Sequence, residues 1–328
     1  MVSRGEEKPL ASWMGEDLIG GGIRKTLTII LRSGGCRFNR CRMCGYRFER
    51  YPAMTEDELA SRMLAQIQWI EENYPSDSYD LVKIFTSGSF FDPVEVPPEV
   101  RDRLGILIRG KIAIAETRPE YVTPEVLRSF LDRIDDGSHE VPLYVAIGLE
   151  TTNDSIREKS IDKGFTFADF IHASSIARDA GVGVKAYLML KPLFLTESEA
   201  VADMKTSIAE VAPYADLISM NLCTVQRRTE LEYLWKKGAY RPPYLWSALE
   251  ILLSTNEAVS CDPVGGGYIR GPHNCGDCDR DIKKAIDEYS LTFNRDLIRG
   301  AFEKECGCRE EWQYIREHEM PWCMPLTR

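Results

Sequence analysis

Ten cysteines are spread over 328 residues, and seven of them fall in two groups. Cys36, Cys41 and Cys44 stand in GGCRFNRCRMCGY with the spacing C-x4-C-x2-C. Three thiolates on one short loop can hold three irons of a four-iron cluster and leave the fourth iron open. A zinc site would want a fourth protein ligand, and none is adjacent, so zinc would need a distant partner. Three unligated thiols are the remaining reading. The second group is Cys275-x2-Cys278 and Cys306-x-Cys308, two short pairs separated by a 27-residue insert. Four soft ligands in pairs suit tetrahedral zinc, and a second iron–sulfur cluster or buried free thiols are the alternatives. Cys261 and His273 could stand in as ligands there. Cys223, Cys261 and Cys323 stand apart from both groups, and Cys223, His139 and His172 read as structural.

The elements that must position the first group are legible as apolar runs. TLTIIL (26–31), LVKIFT (81–86), KIAIAE (111–116), LYVAIGLE (143–150), VKAYLML (184–190) and DLISMNL (216–222) read as six strands. Helical patterns alternate with them. One opens on the capping box Thr55/Glu58, and others open at Pro98, Thr123-Pro124, Thr166 and Thr196. Strict alternation implies a parallel sheet with right-handed crossovers. Strands apolar along their whole length imply burial on both faces. The expected fold class is therefore α/β, a (β/α)6 partial barrel, with a doubly wound sheet as the plainer alternative. After about residue 225 the alternation is expected to stop. Residues 1–225 then form the barrel, and residues 226–328 form a small, cysteine-rich, mainly helical C-terminal extension.

In such folds ligands sit at the carboxyl ends of the strands, which makes the strand-terminal residues informative. TSGSF follows the second run and offers the turn Ser87-Gly88-Ser89. The third run ends in AETRPE with Glu116 and Arg118, and the fourth in IGLETTNDSIRE with Glu150 and Arg157.

Composition is that of a folded protein, 44% hydrophobic and 28% charged. No apolar run approaches the length needed to cross a bilayer, so no membrane association is expected. The start, MVSRGEEKPL, carries charges where a signal peptide needs an apolar stretch, so a cytoplasmic location is expected. A formal charge of −10 argues against a uniformly basic nucleic-acid binder. The charge is uneven, however. Arg37, Arg40 and Arg42 sit in an arginine-rich cysteine loop. Residues 225–246 interleave Arg227, Arg228, Lys236, Lys237 and Arg241 with tyrosines and tryptophans. Cations among aromatics suit an RNA surface, and an amphipathic helix with a solvated face fits as well.

The cysteine triad after the first barrel strand resembles that of the radical S-adenosylmethionine (SAM) enzymes, whose usual spacing is C-x3-C-x2-C. This chain has one extra residue in the first gap and Met43 where an aromatic is commoner. The resemblance implies a [4Fe-4S] cluster on Cys36, Cys41 and Cys44. It also implies SAM bound by Ser87, Gly88 and Ser89, by Glu116 and Arg118, and by Glu150 and Arg157. The ETRPE string is similar to that of radical SAM proteins acting on tRNA. RGPHNCGDCD (270–279) and the late CGC (306–308) extend the resemblance to the radical SAM proteins of archaeosine biosynthesis. That family implies a tRNA substrate whose 7-cyano-7-deazaguanosine carries a lysine, and a C–N bond cleavage that leaves archaeosine. It further implies a lysine-transferring synthase as partner. The charge pattern itself offers Arg37, Arg40, Arg42, Arg227 and Arg228 for phosphate contacts. A radical SAM enzyme on another tRNA nucleoside and a non-enzymatic cysteine-rich RNA-binding module are the competing readings. Zinc in Cys275, Cys278, Cys306 and Cys308 is expected in preference to a second cluster.

Overall fold

The computed structural model describes residues 8–320, so the charged start of the sequence (1–7) and Cys323 lie outside the described residues. Two strands open the fold, β1 (Ala11–Ile19) and β2 (Gly22–Ile30), followed by α1 (Glu56–Asn73), β3 (Leu81–Phe85), α2 (Pro98–Leu107), β4 (Ile112–Thr117), α3 (Pro124–Ile134) and β5 (Leu143–Glu150). A short α4 (Asp154–Ile156) runs on as a π-helical turn, Arg157–Ile161. Then come α5 (Phe167–Asp179), β6 (Gly183–Leu190), α6 (Glu197–Val211), β7 (Leu217–Leu222), α7 (Glu230–Lys236), α8 (Leu245–Ser254) and β8 (Val259–Asp262). Three helices end the described residues, α9 (Asp279–Thr292), α10 (Arg295–Glu303) and α11 (Cys308–His318).

The eight strands form one sheet in the order β1 to β8. β2 through β7 are the six strands expected from the apolar runs, and the parallel pairings β2–β3, β3–β4 and β4–β5 carry them. The expected class holds: an α/β partial (β/α)6 barrel with a cysteine-rich C-terminal part. Two strands were not expected. β1 pairs antiparallel with β2 through a turn at Gly20-Gly21, both at positive φ, which suits a two-residue hairpin. β8 adds a parallel strand beside β7, so the alternation runs one unit past residue 225. Four residues, half of them buried, were too short a run to stand out.

Burial explains why these runs are strands. Every residue of β5 is buried, and Leu27, Ile29, Leu81, Ile84, Val145 and Leu149 have no solvent exposure. Each large aliphatic side chain so buried contributes about 1.5–3 kcal/mol. The helices start where expected. Thr55 Oγ accepts from Glu58 N while Glu58 Oε2 accepts from Thr55 N. Thr196 and Glu199 repeat the box at α6.

The protein packs as two compact units. Of the described residues, one comprises 8–39, 46–148 and 168–185; the other comprises 40–45, 149–167 and 186–320.

Candidate cluster and cofactor site

In the first unit, the loop after β2 leads through Ser33 and Gly34 to Cys36. The turn after β3, residues 86–89, lies directly against it. A Cβ at Gly88 would stand 2.7 Å from Cys36 Cβ and 2.6 Å from Glu95 Oε2, so only glycine fits. Glu95 joins the two segments. Its Oε1 accepts from Ser33 Oγ (2.9 Å) and Thr86 Oγ1 (2.8 Å), and its Oε2 accepts from Ser89 N (2.7 Å). The residue is 1% exposed, and burial pushes its carboxyl pKa up against these hydrogen bonds. Sequence reasoning missed Glu95 because its partners lie up to 62 positions away.

Ser87 and Ser89 turn to the protein. Ser87 Oγ donates to Glu49 O at 3.0 Å, and Ser89 Oγ accepts from Arg118 N at 3.2 Å. Phe90 N donates to Glu116 O at 2.9 Å, which ties the exits of β3 and β4 together. The backbone of the 86–89 turn is thus fixed in place. Arg118 is nearly buried, pairs with Glu120 at 2.5 Å and lies 4.2 Å over the Phe38 ring. Arg37 reaches Asp92 at 3.5 Å.

In the second unit, Cys41 and Cys44 flank a tight turn in which Cys44 N donates to Cys41 O. Met43 between them is buried with Ile161, Leu193, Cys223, Val225, Leu231 and Tyr240, and its Sδ accepts from Leu193 N. It is an anchor for the loop. Arg42 N donates to Ile161 O, and Gly45 N to Gln226 Oε1.

Glu150 ends β5 at φ +68°, a left-handed conformation costly for a side chain of its size, and pairs with Lys163 at 2.6 Å. Strain of this kind at a strand exit collects at functional sites. Arg157 was expected to reach a ligand carboxylate. It is 1% exposed instead, donating to Leu149 O and Thr151 O and pairing with Asp154. Those donors are spent on holding the exit of β5. Arg40 and Arg42 likewise face carboxylates, Asp162 at 3.4 Å and Glu230 at 2.9 Å. Phosphate would have to compete with these pairs. Arg227 and Arg228 are exposed.

The C-terminal cysteines come together. The Sγ atoms of Cys275, Cys278, Cys306 and Cys308 all lie within 4.8 Å of one another. Neighbouring separations are 3.9 Å (275–278), 3.6 Å (275–306), 3.6 Å (278–308) and 3.4 Å (306–308). Asn274 Nδ2 and Trp246 Nε1 donate to the sulfurs of Cys278 and Cys308 at 3.3 and 3.2 Å. Burial pushes the Cys278 thiol up to about 11 and the Cys308 thiol higher. Burial also raises Cys275, but backbone N–H groups of Cys278 and Asp277 outweigh it and bring that thiol down. Cys261 and His273 take no part in this group. Cys261 is wholly buried with its thiol well above the ordinary range, and His273 Nδ1 lies 2.8 Å from Gly271 O. Burial likewise drives Cys223 up to about 12, an unreactive thiol.

A sheet whose first parallel-paired strand, β2, is followed by a three-cysteine loop is the arrangement of the radical SAM class, here with one residue more in the first gap than the usual C-x3-C-x2-C. The donor chemistry fits the expected group: three soft thiolates on one loop, and a glycine turn backed onto Cys36. The chain belongs to the archaeosine synthase subunit beta family. It is 45% identical over 326 residues to the archaeosine synthase subunit beta of Methanosarcina acetivorans, covering 95% of this chain and 91% of that one. It is 38% identical over 321 residues to that of Thermococcus kodakarensis, covering 93% and 96%. No family model matches the sequence. Among solved structures it is similar to archaeal Methanocaldococcus infernus Elp3 with an N-terminal deletion, at 18% identity and a TM-score of 0.48. That likeness covers 71% of this chain and 59% of that one.

Proposed function

We propose that this protein is the radical-generating subunit of an archaeosine-forming enzyme, a carbon–nitrogen lyase. Its substrate would be tRNA bearing the lysine adduct of 7-cyano-7-deazaguanosine, and the cleaved bond the C–N bond of the lysine side chain. The observation that carries the reading is the cysteine triad after β2, with Gly88 packed on Cys36, in a protein alike over nearly its full length to archaeosine synthase beta subunits.

Cys36, Cys41 and Cys44 hold a [4Fe-4S] cluster in this reading. With SAM on the open iron, the reduced cluster would supply one-electron chemistry that starts hydrogen abstraction from the substrate. The protein binds and orients. The backbone of Ser87, Gly88 and Ser89, held by Glu95, meets the SAM amino group. Glu116 and Arg118 meet its ammonium and carboxylate, and Glu150 its ribose. Arg157 acts through the exit of β5, which it holds in shape. Substrate selection falls to the modified base, because phosphate contacts from Arg37, Arg40, Arg42, Arg227 and Arg228 carry no sequence information.

Residues 1–225 are the catalytic barrel in this reading and 226–328 an extension stapled by metal. The metal is zinc. A zinc–thiolate bond of about 2.3 Å in a tetrahedron puts the sulfurs ~3.8 Å apart, near the observed 3.4–3.9 Å. A four-iron cluster puts each thiolate on a different iron and spreads the sulfurs further, with the iron–sulfide cage between them. The partner is the lysine-transferring synthase, and the compartment the cytoplasm.

The test is mass spectrometry of adduct-bearing tRNA incubated anaerobically with reduced protein and SAM. Appearance of archaeosine is expected, with loss of the lysine carbon skeleton and retention of its side-chain nitrogen on the base. An unchanged adduct, with SAM cleaved at the expected rate, would assign the radical to another substrate.

A further inference from the structure

The glycine-rich stretch CDPVGGGYIRGP, placed just before the metal-site cysteines, has no part in the function above. Its residues 263–272 form a closed loop. Gly266 N donates to Pro263 O, Tyr268 N to Gly265 O, Gly271 N to Tyr268 O, and Gly267 N to Pro272 O, all at 2.8–3.1 Å. The ends cross so tightly that a Cβ at Gly271 would stand 2.0 Å from Gly265 O. The loop is also fastened to its surroundings. Val225 N donates to Arg270 O at 2.7 Å, and Arg270 Nε returns a bond to Val225 O. The Arg270 guanidinium pairs with Glu232 at 2.8 Å and lies 4.9 Å over the Trp235 ring.

All this bracing ends in a tip that the protein does not use. Tyr268 is 74% exposed and Ile269 68%, with Val264 exposed beside them. A flexible loop would let such side chains fold back onto apolar surface; this one holds them out in water, the mark of a surface awaiting a partner. The surrounding charge says which kind. Arg227, Arg228, Lys236 and Lys237 are exposed on and next to α7, to which Arg270 fastens the loop. The carboxylates among them are engaged, Glu230 by Arg42 and Glu232 by Arg270 and Lys236. Tyr233 on the same helix is a second exposed ring, with Lys237 Nζ 5.8 Å above it. An exposed ring beside a cation, and a second exposed ring on a loop fastened to the same cation-bearing helix, are the parts of a platform for unstacked bases.

We propose that residues 263–272 are a rigid stacking finger on which Tyr268 receives an unpaired base of the RNA substrate. Ile269 packs against the same base and the cations of α7 take the flanking phosphates. The inference rests on the tRNA reading above and adds where an unstacked nucleotide is held. Held rigidly, Tyr268 spends little conformational entropy on binding.

The experiment compares Tyr268→Ala, Tyr268→Phe and an Arg227→Ala/Arg228→Ala double variant in full-length protein. Binding to a tRNA transcript is read by fluorescence anisotropy at several salt concentrations. The lysine-transferring synthase is tested as a separate ligand. Tyr268→Ala should lose about five- to a hundredfold in tRNA affinity with an unchanged salt slope, because no cation is removed. Tyr268→Phe should bind within about twofold of the parent, since the ring face is kept. The double arginine variant should bind with a shallower slope. Tyr268 is on the surface, so an unchanged melting temperature checks that the variants fold. If Tyr268→Ala binds tRNA as the parent does while the double arginine variant weakens, the finger is overturned and the tRNA reading stands. Loss of synthase binding alone would assign the loop to a protein partner and overturn it equally. If the parent protein binds no tRNA, with or without synthase, the underlying reading fails and takes the finger with it.

Discussion

The group at Cys275, Cys278, Cys306 and Cys308 brings its own four sulfurs into a tetrahedron-sized space, with N–H donors from Asn274 and Trp246 behind two of them. The group at Cys36, Cys41 and Cys44 offers three, and its surroundings differ in kind. Cys36 lies against a glycine turn with no room for a side chain, and Met43, between Cys41 and Cys44, is sunk into the core. A closed ligand set leaves a metal nothing to bind but protein, and such sites contribute folding energy. An incomplete set beside a rigid backbone turn leaves a position for something else. In the proposed reading the same thiol chemistry serves shape in one region and reaction in the other.

The comparison breaks most readily at the triad. Replacing Cys36, Cys41 or Cys44 by Ala is expected to abolish SAM cleavage and most cluster iron while leaving the fold intact. Iron analysis and 5′-deoxyadenosine release measure it, and full iron and activity in all three variants would remove the radical SAM assignment. The C-terminal group should behave in the opposite way. Elemental analysis should find about one zinc beside about four irons. Cys275→Ala should lose the zinc and lower the melting temperature before it touches the iron. About eight irons and no zinc would replace the staple with a second cluster.

A smaller effect sharpens the reaction side. Glu116→Ala and Glu150→Ala should each weaken SAM binding about ten- to a hundredfold, the loss of about 1.5–3 kcal/mol of charged hydrogen bonding, and spare the cluster. Unchanged SAM affinity by calorimetry in both would make these carboxylates structural.

The smallest effect lies beneath β5. Asp203 accepts from Thr151 Oγ1 at 2.9 Å, and burial pushes its carboxyl up to about 6. A carboxyl raised in the folded state binds its proton more tightly there than in the unfolded state. Its stabilising contribution is therefore complete below about pH 4 and lost as pH rises through about 6. Asp203→Asn should flatten that part of the stability profile, an effect of about 1–3 kcal/mol by denaturant titration at about pH 4 and 7. A profile in the variant that still falls between those values would assign the proton elsewhere, for instance to Glu95.

Local patterns were enough for much of this. Six strands could be read because each is buried on both faces and so apolar throughout, as β5 is. Thr55 and Glu58 announced α1 because a capping box is a contact across three residues. β1 did not announce itself. It is an edge strand, paired on one side only, with Gly15, Glu16 and Asp17 in its middle.

The amino-acid order by itself determined the chemistry on offer: a three-thiol loop behind a barrel strand, two cysteine pairs further on, and carboxylates at strand ends. Only the tertiary structure decided how those groups are spent. It turned Arg157 inward onto carbonyls of the β5 exit and set Arg40 and Arg42 against carboxylates. It made Glu95 the tie between the cysteine loop and the turn at Gly88. The charge a residue carries is a local property, but its partner is chosen by which backbone atoms and opposite charges the fold brings within about 3 Å of it.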